Sequence, residues 1–287
     1  MRQQRTNGAE PVWNKGDRGR STAVLSRNIV FMFAVFLLMV SFLAMPASAA
    51  QKKNTWVLDN GYYYYYNAKG KKATGLTKIG KKYYYFNKKG KQLVGWRKID
   101  DSIYRFCMGT GEKGYMLKNQ WVDRVKLDKK GKAVVKTKLA KRTAEVLVNY
   151  TLWGDKITKP TWDGNKKLTA IADAIAKFSY KADSEPGFKK DWHVTLAEDC
   201  YKRYLNKYQY FECQRYAVAF AYLAKAVGLT KVEIHVGGDN HGWVMVNGVK
   251  YDPTRYAKYK GNSLQITESD IAKYNVYKDL KTYKLYS

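Results

Sequence analysis

The sequence predicts an α+β chain in two parts: an N-terminal solenoid of β-hairpin repeats over residues 50–136 and a mixed α+β domain over residues 137–287, behind a leader at 1–49. Three observations predict it. An aromatic pattern returns every 20 to 25 residues between about 54 and 133. Near Lys136 the apolar spacing changes from period two to the three-to-four spacing of amphipathic helices. A cysteine-bearing helix, a histidine-bearing strand and an aspartate after a tight turn then follow in order at 213, 241 and 252.

The leader comes first. Six basic residues, Arg2 to Arg27, precede the uncharged run Ile29–Ala44, and Ala47-Ser48-Ala49 supplies the small residues that a signal peptidase reads. Sixteen apolar residues fall short of the ~20 of a spanning helix. The expectation is a cleaved secretory signal ending at Ala49, with an uncleaved anchor as the other reading, and a secreted protein that is soluble or attached to the cell surface. Three cysteines are too few for a disulfide scaffold.

The repeats come next. Tyr62-Tyr63-Tyr64-Tyr65-Tyr66-Asn67-Ala68-Lys69-Gly70 returns as Lys82-Tyr83-Tyr84-Tyr85-Phe86-Asn87-Lys88-Lys89-Gly90, and Gly75/Gly95 and Ile79/Ile99 keep the same interval. A third copy starts at Trp96 with Ile103-Tyr104-Arg105-Phe106 in the aromatic slot, and Trp121 opens a shorter fourth that ends Asp128-Lys129-Lys130-Gly131. Each unit reads as one hairpin: an aromatic strand, an Asn/Asp-x-x-Gly turn and a short second strand. A single hairpin is marginal in water, so successive units must stack their aromatic faces.

These units resemble the cell-wall-binding, choline-binding type repeats of Gram-positive surface proteins. The resemblance implies cages in which aromatics of consecutive units hold a quaternary ammonium, with Trp56, Tyr64, Tyr84, Trp96 and Trp121 as the ligand-binding residues. Leu76 stands where a Trp is common after Gly75, and Tyr83 stands in another Trp position. The same rings can serve as stacking core alone or as core and ligand site together. Charge adds a second attraction. Residues 51–136 hold 22 Lys/Arg against 6 Asp/Glu in a chain of net charge +29, so a wall polyanion such as teichoic acid, or another wall polysaccharide, is the expected partner. A secreted chain is not expected to meet nucleic acid.

Beyond Lys136, Leu139, Ala140, Thr143, Leu147 and Tyr150 fit one helical face, and Leu168, Ile171, Ala172, Ile175 and Phe178 fit another, with Pro160 and Gly164 between them. Ala217, Phe220, Ala221 and Ala224 give a third buried face, closed by Gly228. Cys213 falls at or just before the first turn of that helix, where the free N–H groups and the dipole favour an anion; a buried, inert cysteine is the other reading. Val232–Val236 and His241–Val246 read as strands, and Asn247-Gly248 as a two-residue turn. That turn pairs Val246 with Val249, which sets His241 and Asp252 diagonally on one face. A carboxylate there fixes the imidazole tautomer and leaves the other ring nitrogen for a nucleophile.

The order Cys213, His241-Gly242-Trp243-Val244, Asp252-Pro253-Thr254 resembles the transglutaminase-like core of the papain-like cysteine enzymes, over about residues 165–256. The resemblance implies a catalytic triad: Cys213 as nucleophile, His241 as general base and then acid, and Asp252 as the orienting carboxylate. It implies a protein or peptide substrate, a thioester at Cys213, and hydrolysis or transamidation of peptide or isopeptide bonds without a cofactor. Tyr180, Trp192 and Gln209 are candidates for the side chain of the oxyanion hole. A wall-binding adhesin with an inactive domain of this kind is the alternative.

His235 reads as structural or surface, His193 as surface, and Cys107 and Cys200 as reduced. No zinc or calcium spacing is present, so no metal is expected.

Overall fold

The computed structural model describes residues 52–182, 191–207 and 210–285; the leader at 1–49 and Gln209 lie outside them. Residues 52–287 form one compact unit.

The repeats are small antiparallel hairpins: β1 (Thr55–Asp59) with β2 (Tyr62–Tyr66), β3 (Gly75–Ile79) with β4 (Lys82–Phe86), β6 (Gly95–Ile99) with β7 (Ser102–Phe106), and β8 (Trp121–Val122) with β9 (Val125–Lys126). Besides the Asn-x-x-Gly turns that the sequence pattern singles out, the repeats have turns that the pattern does not show. They are the two-residue turns at Asn60-Gly61, Gly80-Lys81 and Asp100-Asp101, where Asn60, Gly61, Gly80 and Asp100 have positive φ. Turns of that kind twist with the strands they join. The Asn-x-x-Gly turns follow the aromatic strand and lead into a short third segment: β5 (Gln92–Leu93) on β4, or a single bridge such as Tyr66 to Lys72. There Asn67 Oδ1 accepts from the N–H groups of Lys69 and Lys71, both at 3.0 Å. Asn87 and Asp128 repeat this arrangement.

The second part contains helices α1 (Lys138–Ile157), α2 (Gly164–Ile175), α3 (Trp192–Asn206) and α4 (Cys213–Ala226). The two-residue strands β10 (Ser179–Tyr180) and β11 (Tyr210–Phe211) pair in parallel. A four-stranded antiparallel sheet completes it, in the order β14 (Val249–Tyr251), β13 (Gly242–Val246), β12 (Val232–Gly237), β15 (Asp279–Lys284). Helix α4 carries the core: 12 of its residues are buried, far more than the single face read from the sequence. Leu168, Ile171, Ala172, Ile175 and Phe178 are buried as the sequence predicts. The face of α1 behaves differently. Leu147 and Tyr150 are buried, but Leu139, Ala140 and Thr143, in its first turns, are only half-buried.

One apolar core crosses residue 136. Trp96, Val125 and Leu127 of the repeats share it with α1, α2, α3, α4 and the sheet. Gly95 makes the approach close: its φ is +86°, and a Cβ there would lie 2.7 Å from Thr151 Cγ2 on α1. Beside it, buried Arg97 pairs with Asp155 of α1, Nη2 to Oδ1 at 3.0 Å. The change of pattern near Lys136 is a change of secondary structure within a continuous core.

Candidate functional site

Helix α4 begins where Glu212 caps it: the side chain accepts from the N–H groups of Gln214 and Arg215. Cys213 therefore occupies the first helical position, and a buried carboxylate precedes it. Burial raises the Glu212 carboxyl above its ordinary value. Arg215 answers it, with Nη1 3.1 Å from Glu212 Oε1 and Nε 2.8 Å from Asp199 Oδ2.

Strand β13 passes over this helix start at Gly242. A Cβ there would lie 2.9 Å from Gln214 Cα and 3.1 Å from Ala217 Cβ, so only glycine lets the backbone come this near. The contact delivers the preceding residue, His241, to Cys213. Asn240 O lies 3.8 Å from Cys213 Sγ and accepts from Gln214 Nε2 at 3.1 Å. The hairpin has the register read from the sequence, Val246 opposite Val249 and Val244 opposite Tyr251.

Asp252 then caps α5 (Pro253–Tyr259), with Oδ1 accepting from Arg255 N at 2.9 Å. Its Oδ2 lies 2.9 Å from His241 Nε2 and accepts from the Tyr277 hydroxyl at 2.9 Å. Asp252 is 2% exposed. Burial opposes its ionisation, but His241, the Arg255 N–H and Tyr277 hold the carboxyl below its ordinary value. Burial likewise opposes charge on His241, and the Asp252 carboxylate and the Cys213 sulfur outweigh it, pushing the imidazole up to about 10. With Nε2 committed to Asp252, Nδ1 is the nitrogen left for the thiol. The arrangement can hold an imidazolium beside a sulfur nucleophile at neutral pH.

Cys213, His241 and Asp252 are thus brought together. Tyr277 is the member that sequence reading missed: it lies 25 residues beyond Asp252, in an irregular segment with no periodic signal. Of the oxyanion candidates, Tyr180 stands at the site, where burial, Cys213 and Glu212 raise its hydroxyl pKa. Trp192 is buried instead against His193 and Tyr283, because α3 turns that face into the core.

Of the histidine readings, His235 as structural is borne out and His193 as surface is corrected. His235 is buried, bonded through Nδ1 to Asp279 at 2.9 Å and through Nε2 to Glu233 at 3.2 Å, and stacked on Trp243. His193 is also buried, with Nδ1 2.8 Å from the Tyr222 hydroxyl. Strand β12 is covered on both faces, and α3 packs on α4, so neither ring reaches bulk solvent. Cys107, Cys200 and Cys213 are free thiols. Among the described residues no acidic, His or Cys cluster could hold a metal ion, and no helix is long and apolar enough to cross a membrane.

The five repeat aromatics do not form one kind of site. Trp56 meets Tyr84 at 5.0 Å and Phe86 at 5.8 Å between ring centroids, a packed cluster. Trp96 is 1% exposed and donates Nε1–H to Asp123 Oδ2 at 2.7 Å. Tyr64 is buried beneath the Lys72 ammonium, 4.0 Å from its ring centroid, while Trp121 is 63% exposed. Lys91 and Lys82 cover Tyr62 and Tyr115 in the same way, at 4.0 and 3.9 Å.

Comparison with known proteins bears on the repeats. The choline-binding repeat family matches residues 73–121. Among solved structures, the chain is similar to the choline binding domain of Spr1274 in Streptococcus pneumoniae, at 26% identity over 30% of this chain and 99% of that one, with a TM-score of 0.26. It is also similar to choline binding protein F from Streptococcus pneumoniae, at 27% identity over 28% of each chain, with a TM-score of 0.25. A third is the multimodular pneumococcal cell wall endolysin from phage Cp-1 complexed with choline, at 24% identity over 31% of this chain and 26% of that one, with a TM-score of 0.22. The chain thus spans about a quarter of the length of the last two. No curated protein sequence matches the chain significantly.

Proposed function

We propose that the protein is a secreted thiol enzyme of the transglutaminase-like kind, held at the cell wall by its choline-binding type repeats. One observation carries the enzymatic part: His241 bonds Asp252 through Nε2 at 2.9 Å, which leaves the other face of its ring for Cys213 at a helix start. The Cys213 sulfur attacks an amide carbonyl, and its proton resides on His241. His241 passes that proton to the departing amine as the C–N bond breaks, leaving a thioester on Cys213. Water, deprotonated by His241, cleaves the thioester and regenerates the thiol; a substrate amine in the place of water gives transamidation. Asp252 keeps the ring oriented and charged, and Tyr277 keeps Asp252 in place.

The repeats bring the enzyme to a wall polymer. Their lysines draw a polyanion such as teichoic acid, and the exposed indole of Trp121 offers a face for choline on that polymer.

The test is trapping of the acyl-enzyme. Incubation with a mixture of wall peptides, quenched in acid and followed by intact-mass and peptide mapping, should yield an adduct at Cys213; a parallel incubation with hydroxylamine should release the acyl group as hydroxamate and leave the free thiol, and both products should be lost in Cys213→Ser. If no adduct forms and iodoacetamide labels Cys213 identically in wild type and His241→Ala, the wall-binding adhesin reading replaces the enzyme.

A further inference from the structure

A cavity of about 930 Å³ lies between the fourth repeat and the helices, and none of Cys213, His241 and Asp252 lines it. The first turns of α1 border it and are only partly covered. Leu139, Ala140 and Thr143 belong to the apolar face of that helix yet remain half-buried, and they look into this space. Leu147, Val194 and Leu285 extend the apolar wall. The volume is that of sites that enclose a small ligand, and such sites combine apolar walls with a few placed polar groups.

Those polar groups divide by depth. At the buried end stand His193 and Tyr222, bonded to each other at 2.8 Å. Burial and Arg124 lower the His193 pKa to about 4, against the opposing effect of Asp191, so this imidazole is neutral at neutral pH. At the open end stand the exposed side chains of Lys126, Lys129 and Lys136, beside the exposed indole of Trp121. Three carboxylates line the cavity as well: Asp123 and Asp128 are engaged, and Asp191 lies near His193. Asp123 takes the Trp96 N–H and pairs with Lys225 at 2.8 Å, and Asp128 accepts from the N–H groups of its own turn. The result is a partly apolar interior behind a mouth in which lysines predominate.

We propose that this cavity binds a free single-chain anionic amphiphile, with its hydrocarbon chain in the apolar interior and its carboxylate or phosphate head at the lysine mouth. A neutral apolar molecule leaves the mouth unused, and a cationic one meets repulsion there.

The test is calorimetric titration of the full chain with dodecanoate below its micelle concentration. Dodecyltrimethylammonium, with the same chain and the opposite head, is the charge control. The expected result is saturable one-to-one binding of dodecanoate and none of the cation. Thr143→Trp, which fills the cavity without adding charge, should weaken dodecanoate at least tenfold with an unchanged melting temperature. Leu139→Asp is the second variant: a carboxylate in the first helical turn is compatible with the dipole but repels the head and polarises the wall, and it too should weaken binding at least tenfold. Absence of saturable dodecanoate binding, equal binding of the two head groups, or wild-type affinity in the folded variants overturns the proposal.

Discussion

Trp96 donates its indole N–H to Asp123 Oδ2 across 2.7 Å, joining the third repeat to the fourth, and Asp123 Oδ1 lies 2.8 Å from Lys225 Nζ on α4. One buried carboxylate therefore ties two repeats to the central helix of the second part. Its other neighbour, Arg105, approaches to 3.6 Å. The repeats are part of the fold of the chain, not beads on a thread.

Asp123→Ala should accordingly destabilise the whole molecule, by about 3–5 kcal/mol, because it strands buried cations and an indole N–H without an acceptor. The check is urea unfolding followed by helical circular dichroism and by tyrosine and tryptophan fluorescence. Both signals should move together to lower denaturant. A loss confined to the fluorescence of the repeats, with the helices melting as in wild type, would mean that the two parts are energetically separate.

The second expectation follows from the charge on His241. Its folded pKa of about 10 lies above the ordinary 6.5. A raised value of this kind contributes stability that is fully present below pH 6.5 and is lost as the pH rises through about 10. NMR of the imidazole should show the ring protonated across neutral pH. Asp252→Asn should bring its titration down towards the ordinary range and flatten the fall in stability on the alkaline side. A ring that titrates near 6.5 in the wild type would mean that the ion pair does not form.

Gly242→Ala tests the close passage of β13 over α4. The added methyl meets the Gln214 backbone at 2.9 Å, and neither strand nor helix start can yield cheaply. A loss of about 1–3 kcal/mol is expected from overpacking, together with a fall in kcat larger than the stability change explains, because His241 is displaced from Cys213. Unchanged turnover in the folded variant would show that the contact does not position the histidine.

Much of this site was legible in the sequence because it rests on local rules. Asn247-Gly248 admits one hairpin register, and that register alone brings His241 to Asp252. Cys213 was placed at a helix start by the small-residue face that follows it. Tyr277 was not legible: its approach to Asp252 depends on the path of an irregular segment and on β15 pairing with β12. In the repeats, the Asn-x-x-Gly turns are legible, since Asn67 and Gly70 form a strong local signal, while the further turns at Gly80-Lys81 and Asp100-Asp101 carry none. The cavity was hidden for a different reason: amphipathic spacing says which face of α1 is apolar, not whether anything covers it.

Binding to walls should weaken steeply with salt and respond little to free choline. The attraction rests on exposed lysines, which salt screens, while Lys72, Lys91 and Lys82 already cover the faces of Tyr64, Tyr62 and Tyr115. Retention of the full chain on teichoic-acid-bearing walls is the measurement, between low salt and about 0.5 M, with and without millimolar choline. Elution by choline at low salt, with little effect of salt itself, would reverse the order of these two contributions.

The last expectation separates the three roles at the site. Cys213→Ser should abolish turnover, since a hydroxyl at the same place is a far weaker nucleophile than a thiolate. Asp252→Asn should keep the fold but slow the reaction by about 10²–10⁴-fold, because an amide can hold His241 in the wrong tautomer and no longer favours its charge. Tyr277→Phe removes one hydrogen bond to a carboxylate that still has His241 and the Arg255 N–H, so its effect should be smaller, about tenfold, and should appear in kcat and in the pH profile more than in KM. The three are to be compared on one peptide substrate, with the rate of Cys213 alkylation against pH measured in parallel. Equal rates in wild type, Asp252→Asn and Tyr277→Phe would mean that Asp252 and Tyr277 serve only to cap α5 and pack the sheet, and that Cys213 and His241 do not act as a coupled pair.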